Sequence, residues 1–353
     1  MTQQTVTSQD GHHISPIAGN GHLVTAFGPS GYHDALPAPG EHDTRQIVWA
    51  GRRLSGPTHP LIRFGRLQRA LSVDGVPTTD REWAQTLDYD QGMVVSRLRH
   101  GAVEEITRSL VCLGANVLVV QSRFENRGPH LANLTLACTY AMPNVVDPAL
   151  HAPAPHRYAE SGDGDRAVRL RVQARSEGLS VHYHVGQHLG EVRLGCCPDA
   201  VITATDQGGT CLHHLALAPG GQAEVWTWLV LSDRRCFTHF PNLARVQTLV
   251  EEHIRAWQAF WAVSQVEYDD APRLTAFRQS CLYSIRCNAS PWSIPPGYSP
   301  GYWEGRTFHD EIYPFLALLS AGHVGLARRV PAFRLAVLPR ALVTGGGEAA
   351  HFP

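Results

Sequence analysis

A handful of side chains in one short stretch have the chemistry to grip a sugar. Between Ser299 and Leu319 a Gly- and aromatic-rich loop runs into an apolar segment through His309, Asp310 and Glu311. Tyr302, Trp303 and Phe308 offer flat faces, Gly301 and Gly305 permit tight turns, and Asp310 stands where an amphipathic helix should begin. Pyranose rings lay their C–H faces on aromatic side chains while a carboxylate accepts from two ring hydroxyls, and few such polar groups suffice to fix orientation. The expected substrate-binding set is therefore Asp310, His309, Trp303, Phe308 and Tyr302. The plainer alternative is an ordinary helix start with Asp310 as its cap.

Cleavage of a glycosidic bond ordinarily uses two carboxyl groups that face each other across it, about 5 to 9.5 Å apart. Asp310 and Glu311 do not suit that pairing, because neighbours at a helix start point about 100° apart. Glu304 is the other carboxylate of the loop, and a surface position is expected for it.

The run Trp303-Glu304-Gly305-Arg306-Thr307-Phe308-His309-Asp310 resembles the Tyr-x-Gly-His-Val-Phe-Trp-Asp stretch of glycoside hydrolase family 65. The resemblance implies an inverting phosphorylase or hydrolase of α-glucosides, whose Trp-Asp pair lines the pocket for the sugar on the non-reducing side. That pair falls on His309 and Asp310. His309 stands for the usual Trp, Arg306 for the usual His, and Glu311-Ile312 for the usual Thr-Glu, so the motif does not fix sugar or linkage. Smaller matches are Gly19-Asn20-Gly21, Leu87-Asp88 followed by Gly92, and Ala327-Arg328-Arg329 with Phe333-Arg334 and a Leu338-Pro339 turn. The ending from Gly347 to Pro353 resembles the family's Gly-Ala-x-Phe-Pro-Trp-Glu segment, cut after the Pro. The family's general acid lies well downstream of the aromatic loop and is expected beyond Pro353, which leaves the catalytic residues unassigned. No cofactor is implied; inorganic phosphate would be the co-substrate of a phosphorylase.

The elements that must carry this stretch follow from periodicity. From about Ile14 to Leu231 apolar residues alternate with polar ones between Gly, Pro, Asn and Asp clusters, the mark of strands. Leu118, Val120 and Phe124 make one face; so do Leu134, Leu136, Cys138 and Tyr140, and Val168, Leu170 and Val172. Val225 to Leu231 is apolar on both faces, as in a central strand of packed sheets. With no helical pattern between strands, a large antiparallel β-sandwich is expected rather than a βαβ fold. Pro143 to Asp165 reads as a long edge loop.

After Asp233 the period changes to three and four. A helix is expected from Pro241 to Ala262, with Pro241 in its first turn. A second begins at Pro272 under an Asp270 cap, lined by Leu274, Phe277, Cys281 and Ile285 until Asn288. Phe315, Leu318 and Leu319 stripe a third, stopped near Gly322, and Val324 to Leu335 a fourth that Pro331 should kink. The expected organisation is a sandwich over 1–235, a helical linker over 236–270, and an incomplete (α/α)6 barrel of six-hairpin glycosidase type over 271–353.

Composition narrows the partners. A chain of 353 residues with 43% hydrophobic and 17% charged content is ordinary for a soluble globular protein of two domains. A formal net charge of -1 supplies no field for nucleic acid or an anionic membrane. The sequence has no Lys, so Schiff-base chemistry on lysine is excluded and a phosphate grip falls to Arg, His, Ser or backbone N–H. The polar start lacks a signal-peptide pattern, and the 8 Cys lack Cys-x-x-Cys spacing, which together point to reduced, buried, cytoplasmic thiols. Of 20 His, His182 and His184 share a strand face, as zinc ligands would, but no third ligand accompanies them; a solvent-facing pair beside core-facing Val181, Tyr183 and Val185 is the expectation.

Two functional classes follow: the N-terminal part of a sugar-cleaving enzyme, or a non-catalytic carbohydrate-binding or protein-interaction module. The expected partner is an α-glucoside or related oligosaccharide. An unfinished barrel should expose Phe315, Leu318, Leu319 and Phe333, favouring association, for instance as a homodimer.

Overall fold

The computed structural model describes residues 3–7, 13, 15–33, 47–49, 62–79, 82–142, 169–175, 177–185, 188–198, 200–233, 240–291, 293–295 and 309–344. Its strands are β1 (Gln3–Thr7), β2 (Ile17–Gly19), β3 (Leu23–Ala26), β4 (Val48–Trp49), β5 (Ile62–Arg63), β6 (Arg66–Val73), β7 (Val76–Pro77), β8 (Trp83–Asp88) and β9 (Met93–His100). They continue with β10 (Val103–Val111), β11 (Val117–Asn126), β12 (Ala132–Ala141), β13 (Arg169–Arg175), β14 (Gly178–Val185), β15 (His188–Cys197), β16 (Val201–Ala204), β17 (Gly208–Leu217) and β18 (Gln222–Asp233). Helices follow as α1 (Leu243–Val263), α2 (Pro272–Asn288), α3 (Ile312–Ser320), α4 (Val324–Ala327) and α5 (Arg329–Thr344), with a 3-10 turn over His309–Glu311 ahead of α3.

The strands form a 9-stranded sheet in the order β1-β8-β9-β10-β11-β18-β15-β14-β13, a 5-stranded sheet β16-β17-β12-β6-β7 and a small sheet β2-β3-β4-β5. Their pairings are antiparallel throughout, as the alternation predicts. Leu118, Val120 and Phe124 from the large sheet meet Leu134, Leu136, Cys138 and Tyr140 from the second in one buried cluster. Val181 and Tyr183 join them, while His184 is exposed and His182 lies 3.7 Å from Glu191. The Pro143 to Asp165 segment lies outside the described residues.

β18 is apolar on both faces for two different reasons. Val225, Leu229 and Leu231 enter the inter-sheet core, whereas Trp226, Trp228 and Val230 are covered by Val246 and Leu249 of α1. The outer partner is therefore a helix, not another sheet. α1 starts two residues after Pro241, because Asn242 caps it by accepting from the Arg245 N–H at 3.0 Å.

In α2 the expected Asp270 cap is absent: Ala271 holds the cap position and makes no side-chain cap bond, with Pro272 in the first turn. The expected stripe also faces the wrong way. Leu274, Phe277 and Cys281 are exposed, and the buried face is Thr275, Leu282, Tyr283 and Cys287. The exposed Cys281 likewise departs from the expectation of buried thiols. The fourth helix is two: α4 ends at Ala327 and α5 runs on to Thr344, with Pro331 in its first turn, where a missing N–H costs nothing. Pro339 sits inside α5 rather than in a turn. Leu318 and Phe333 are buried and Phe315 is half-buried, while Leu319 is exposed as expected, together with Leu274, Phe277, Ile312, Tyr313, Leu316 and Leu335.

Two turns join the sandwich to the helices. The β8–β9 turn supports α1: Tyr89 and Gly92 carbonyls accept from Trp261 Nε1 at 2.7 Å and from His253 Nε2 at 3.1 Å. Gly92 has φ +63°, and a Cβ there would lie 1.8 Å from Trp257 Nε1. The Gly19-Asn20-Gly21 turn supports the end of α2. Gly21 donates to the Cys287 carbonyl at 2.8 Å, and a Cβ on it would lie 1.9 Å from the Ala289 oxygen. Asn20 is buried and ties the same turn to the Cys112 and Ala115 carbonyls at 3.0 and 2.9 Å. Both short sequence matches in the sandwich thus sit where helices dock.

Candidate functional site

The 3-10 turn His309–Glu311 presents one carboxylate outward and one inward. Asp310 is one-third exposed, and its Oδ1 lies 3.4 Å from Nε2 of His309, whose side chain is 86% exposed. Glu311 is buried and accepts from Ser293 Oγ and from Arg334 Nε, which reaches across from α5. The divergence agrees with the helical geometry that argued against a catalytic pair. Asp310 is not a cap either, since α3 takes Glu311 at its cap position without a side-chain cap bond. An Asp310 carboxylate held at the head of α3 is free to accept hydrogen bonds from hydroxyls, with His309 beside it as a further polar contact.

What fixes the turn is packing below it. Ala289, Ile294, Leu318, Ala327 and Val330 form a small buried cluster, and Arg329 donates to the Ala289 carbonyl. Ser290 and Ser293 bridge as an antiparallel pair, with Ser293 at φ +84°. Arg286 stands near this layer. Burial, and then the like charge of Arg329, bring its guanidinium down to about 10. Tyr302, Trp303 and Phe308, with Glu304, lie outside the described residues. The Glu311–Arg334 and Glu311–Ser293 contacts escaped sequence reading because they span 23 and 18 residues with no periodic signal.

No group of three His, Cys, Asp or Glu suited to a metal ion occurs among the described residues. Nor is any helix among them long and apolar enough to cross a membrane.

No family model matches the sequence, and no curated protein matches it. Solved structures do resemble the fold. One, a protein of the human microbiome assigned as a kojibiose phosphorylase, superposes with a TM-score of 0.63 at 10% identity over 94% of this chain and 47% of its own. A bacterial glucoamylase complexed with acarbose gives a TM-score of 0.50 at 8% identity over 98% of this chain and 54% of its own. The chain thus spans about half the length of each. At these identities the likeness is one of fold: large antiparallel sheets followed by helices.

Proposed function

We propose that the chain is the N-terminal part of a carbohydrate-active enzyme of the family 65 kind, acting on an α-glucoside by inversion. It carries part of the sugar subsite, Asp310 and His309 with Tyr302, Trp303 and Phe308, and not the general acid. The observation that carries this reading is Asp310 on a turn locked from beneath by Glu311, Arg334 and Ser293, at the head of α3 in a fold shared with a phosphorylase and a glucoamylase. The bare side chains of Phe277, Tyr313 and Leu335 favour a second reading, a non-catalytic module that associates through its helices.

Two measurements test the first reading. Binding of maltose, kojibiose and trehalose by the 353-residue chain should be weak, saturable and abolished by Asp310→Asn. With the same sugars and a nitrophenyl α-glucoside, with or without phosphate, turnover should be absent. In the complete enzyme Asp310→Asn should cost about 2 to 4 kcal/mol of transition-state stabilisation. Unaltered binding in the variant would remove Asp310 from the subsite. Turnover by this chain on the order of 1 to 10³ per second would make one of its own carboxylates the acid, Glu304 first.

A further inference from the structure

β13 ends one side of the nine-stranded sheet. Among the described residues it hydrogen-bonds to β14 alone, and β16, the outer strand of the facing sheet, belongs to another ladder. Alternate N–H and C=O groups along such a strand point away from the sheet, where an added strand can pair with them.

The register fixes which side chains flank that edge. Leu170 and Val172 lie opposite Tyr183 and Val181 and turn into the core. Arg169, Arg171, Gln173 and Arg175 therefore turn to the outer face, with His182 and His184 beside them. All three arginines are exposed. At about 3.3 Å per residue, Arg169 and Arg171 stand about 7 Å apart, and Arg171 and Arg175 about 13 Å apart.

The acidic groups nearby do not neutralise this row. Glu191 is engaged by Arg193 Nη2 at 2.7 Å and lies 3.7 Å from His182 Nε2. Arg171 donates through Nη2 to the Gln173 side-chain oxygen at 3.0 Å, a neutral partner. Among the described residues neither Arg171 nor Arg175 makes an ion pair, and Glu177 of the β13–β14 turn, itself exposed, joins neither.

Charge then selects what can pair there. A second copy laid antiparallel on β13 would set arginines against arginines, which opposes it. Single-stranded nucleic acid needs rings on which bases stack, and the outer face of β13 and β14 carries no Phe, Tyr or Trp. A sulfated polysaccharide could meet the guanidiniums but leaves the main-chain edge unused. An extended acidic strand uses both: carboxylates on alternate residues, about 7 Å apart, reach Arg169 and Arg171 while its main chain continues the ladder.

We propose that the outer edge of β13 is a docking site for an extended acidic peptide segment of a partner protein, bound by strand addition and held by Arg169, Arg171 and Arg175. It stands independently of the reading of Asp310.

Fluorescence anisotropy of the 353-residue chain with a labelled octapeptide of alternating Glu and Thr tests it. The peptide should bind saturably and more weakly at about 0.5 M NaCl. Arg171→Glu and Arg175→Glu, at exposed positions, should each weaken it about tenfold, and Asp310→Asn should leave it unchanged. The same peptide N-methylated at alternate residues cannot extend the ladder and should also lose about tenfold. Should circular dichroism show that either Arg variant misfolds, the N-methylated peptide and a Lys-for-Glu peptide decide. No binding, equal binding of the Lys or the N-methylated peptide, or affinity that survives both Arg variants overturns the site. Preference for heparin over the peptide would make the arginines a polyanion surface and overturn strand addition as well.

Discussion

Acidification should loosen the junction between sandwich and helices through one histidine. His253 of α1 is buried, its Nδ1 accepts from the Leu113 N–H at 3.2 Å, and its Nε2 donates to the Gly92 carbonyl at 3.1 Å. Only the neutral ring can make both bonds. Burial, assisted by Arg286 and opposed by the backbone carbonyls, brings the imidazole from its ordinary 6.5 down to about 4. A base with a lowered folded-state value binds fewer protons folded than unfolded, so its contribution is complete above 6.5 and falls as pH drops toward about 4. That interval, at about 1.4 kcal/mol per pH unit, amounts to about 3 kcal/mol. Urea unfolding followed by tryptophan fluorescence at pH 7 and pH 4.5 should show most of this loss. In His253→Gln, which keeps a donor for Gly92 and cannot titrate, the loss should be smaller by about 2 to 3 kcal/mol. Parallel pH profiles for the two proteins, or an NMR titration placing His253 near 6.5, would refute the reasoning.

Other substitutions probe the same architecture. Gly92→Ala should destabilise by about 2 to 4 kcal/mol in urea unfolding, since its Cβ would meet the Trp257 ring and its φ of +63° disfavours an L side chain. Glu105→Gln should cost about 3 to 5 kcal/mol in urea unfolding by breaking the buried ion pair with Arg69 at 3.4 Å, and a loss below 1 kcal/mol would refute a stabilising role for that pair. Glu311→Gln should weaken sugar binding together with stability, because it releases the Arg334 tether under the turn. A variant that loses stability but keeps full affinity would uncouple that tether from the site.

The strands were legible because each inner residue has the same neighbour class on every side: one inter-sheet core receives Leu118, Leu136 and Val181 alike, and period two reports it directly. The start of α2 was legible from Pro272, but its buried face was not. Hydropathy favours Leu274 and Phe277, yet the helix buries Tyr283 and Cys287, because those meet Tyr89, Trp257, Ile17 and the Gly21 turn arriving from far along the chain. Motif reading located Asp310 at the entrance of a helix. It could not show that the adjoining Glu311 turns inward, since Arg334 and Ser293 are brought to it by tertiary structure alone.

The covering of β18 by α1 also bears on how the chain is made. When the ribosome has released Asp233, the eighteen strands among the described residues are complete, but Trp226, Trp228 and Val230 still lack the helix that shields them. Val263 follows 30 residues later. At synthesis rates of about 5 to 20 residues per second, that is a window of about 2 to 6 s in which a nearly finished sheet shows a broad aromatic band to solvent or to a chaperone. Arrest of translation in this interval should yield a nascent chain that is sticky, and release through α1 one that is not.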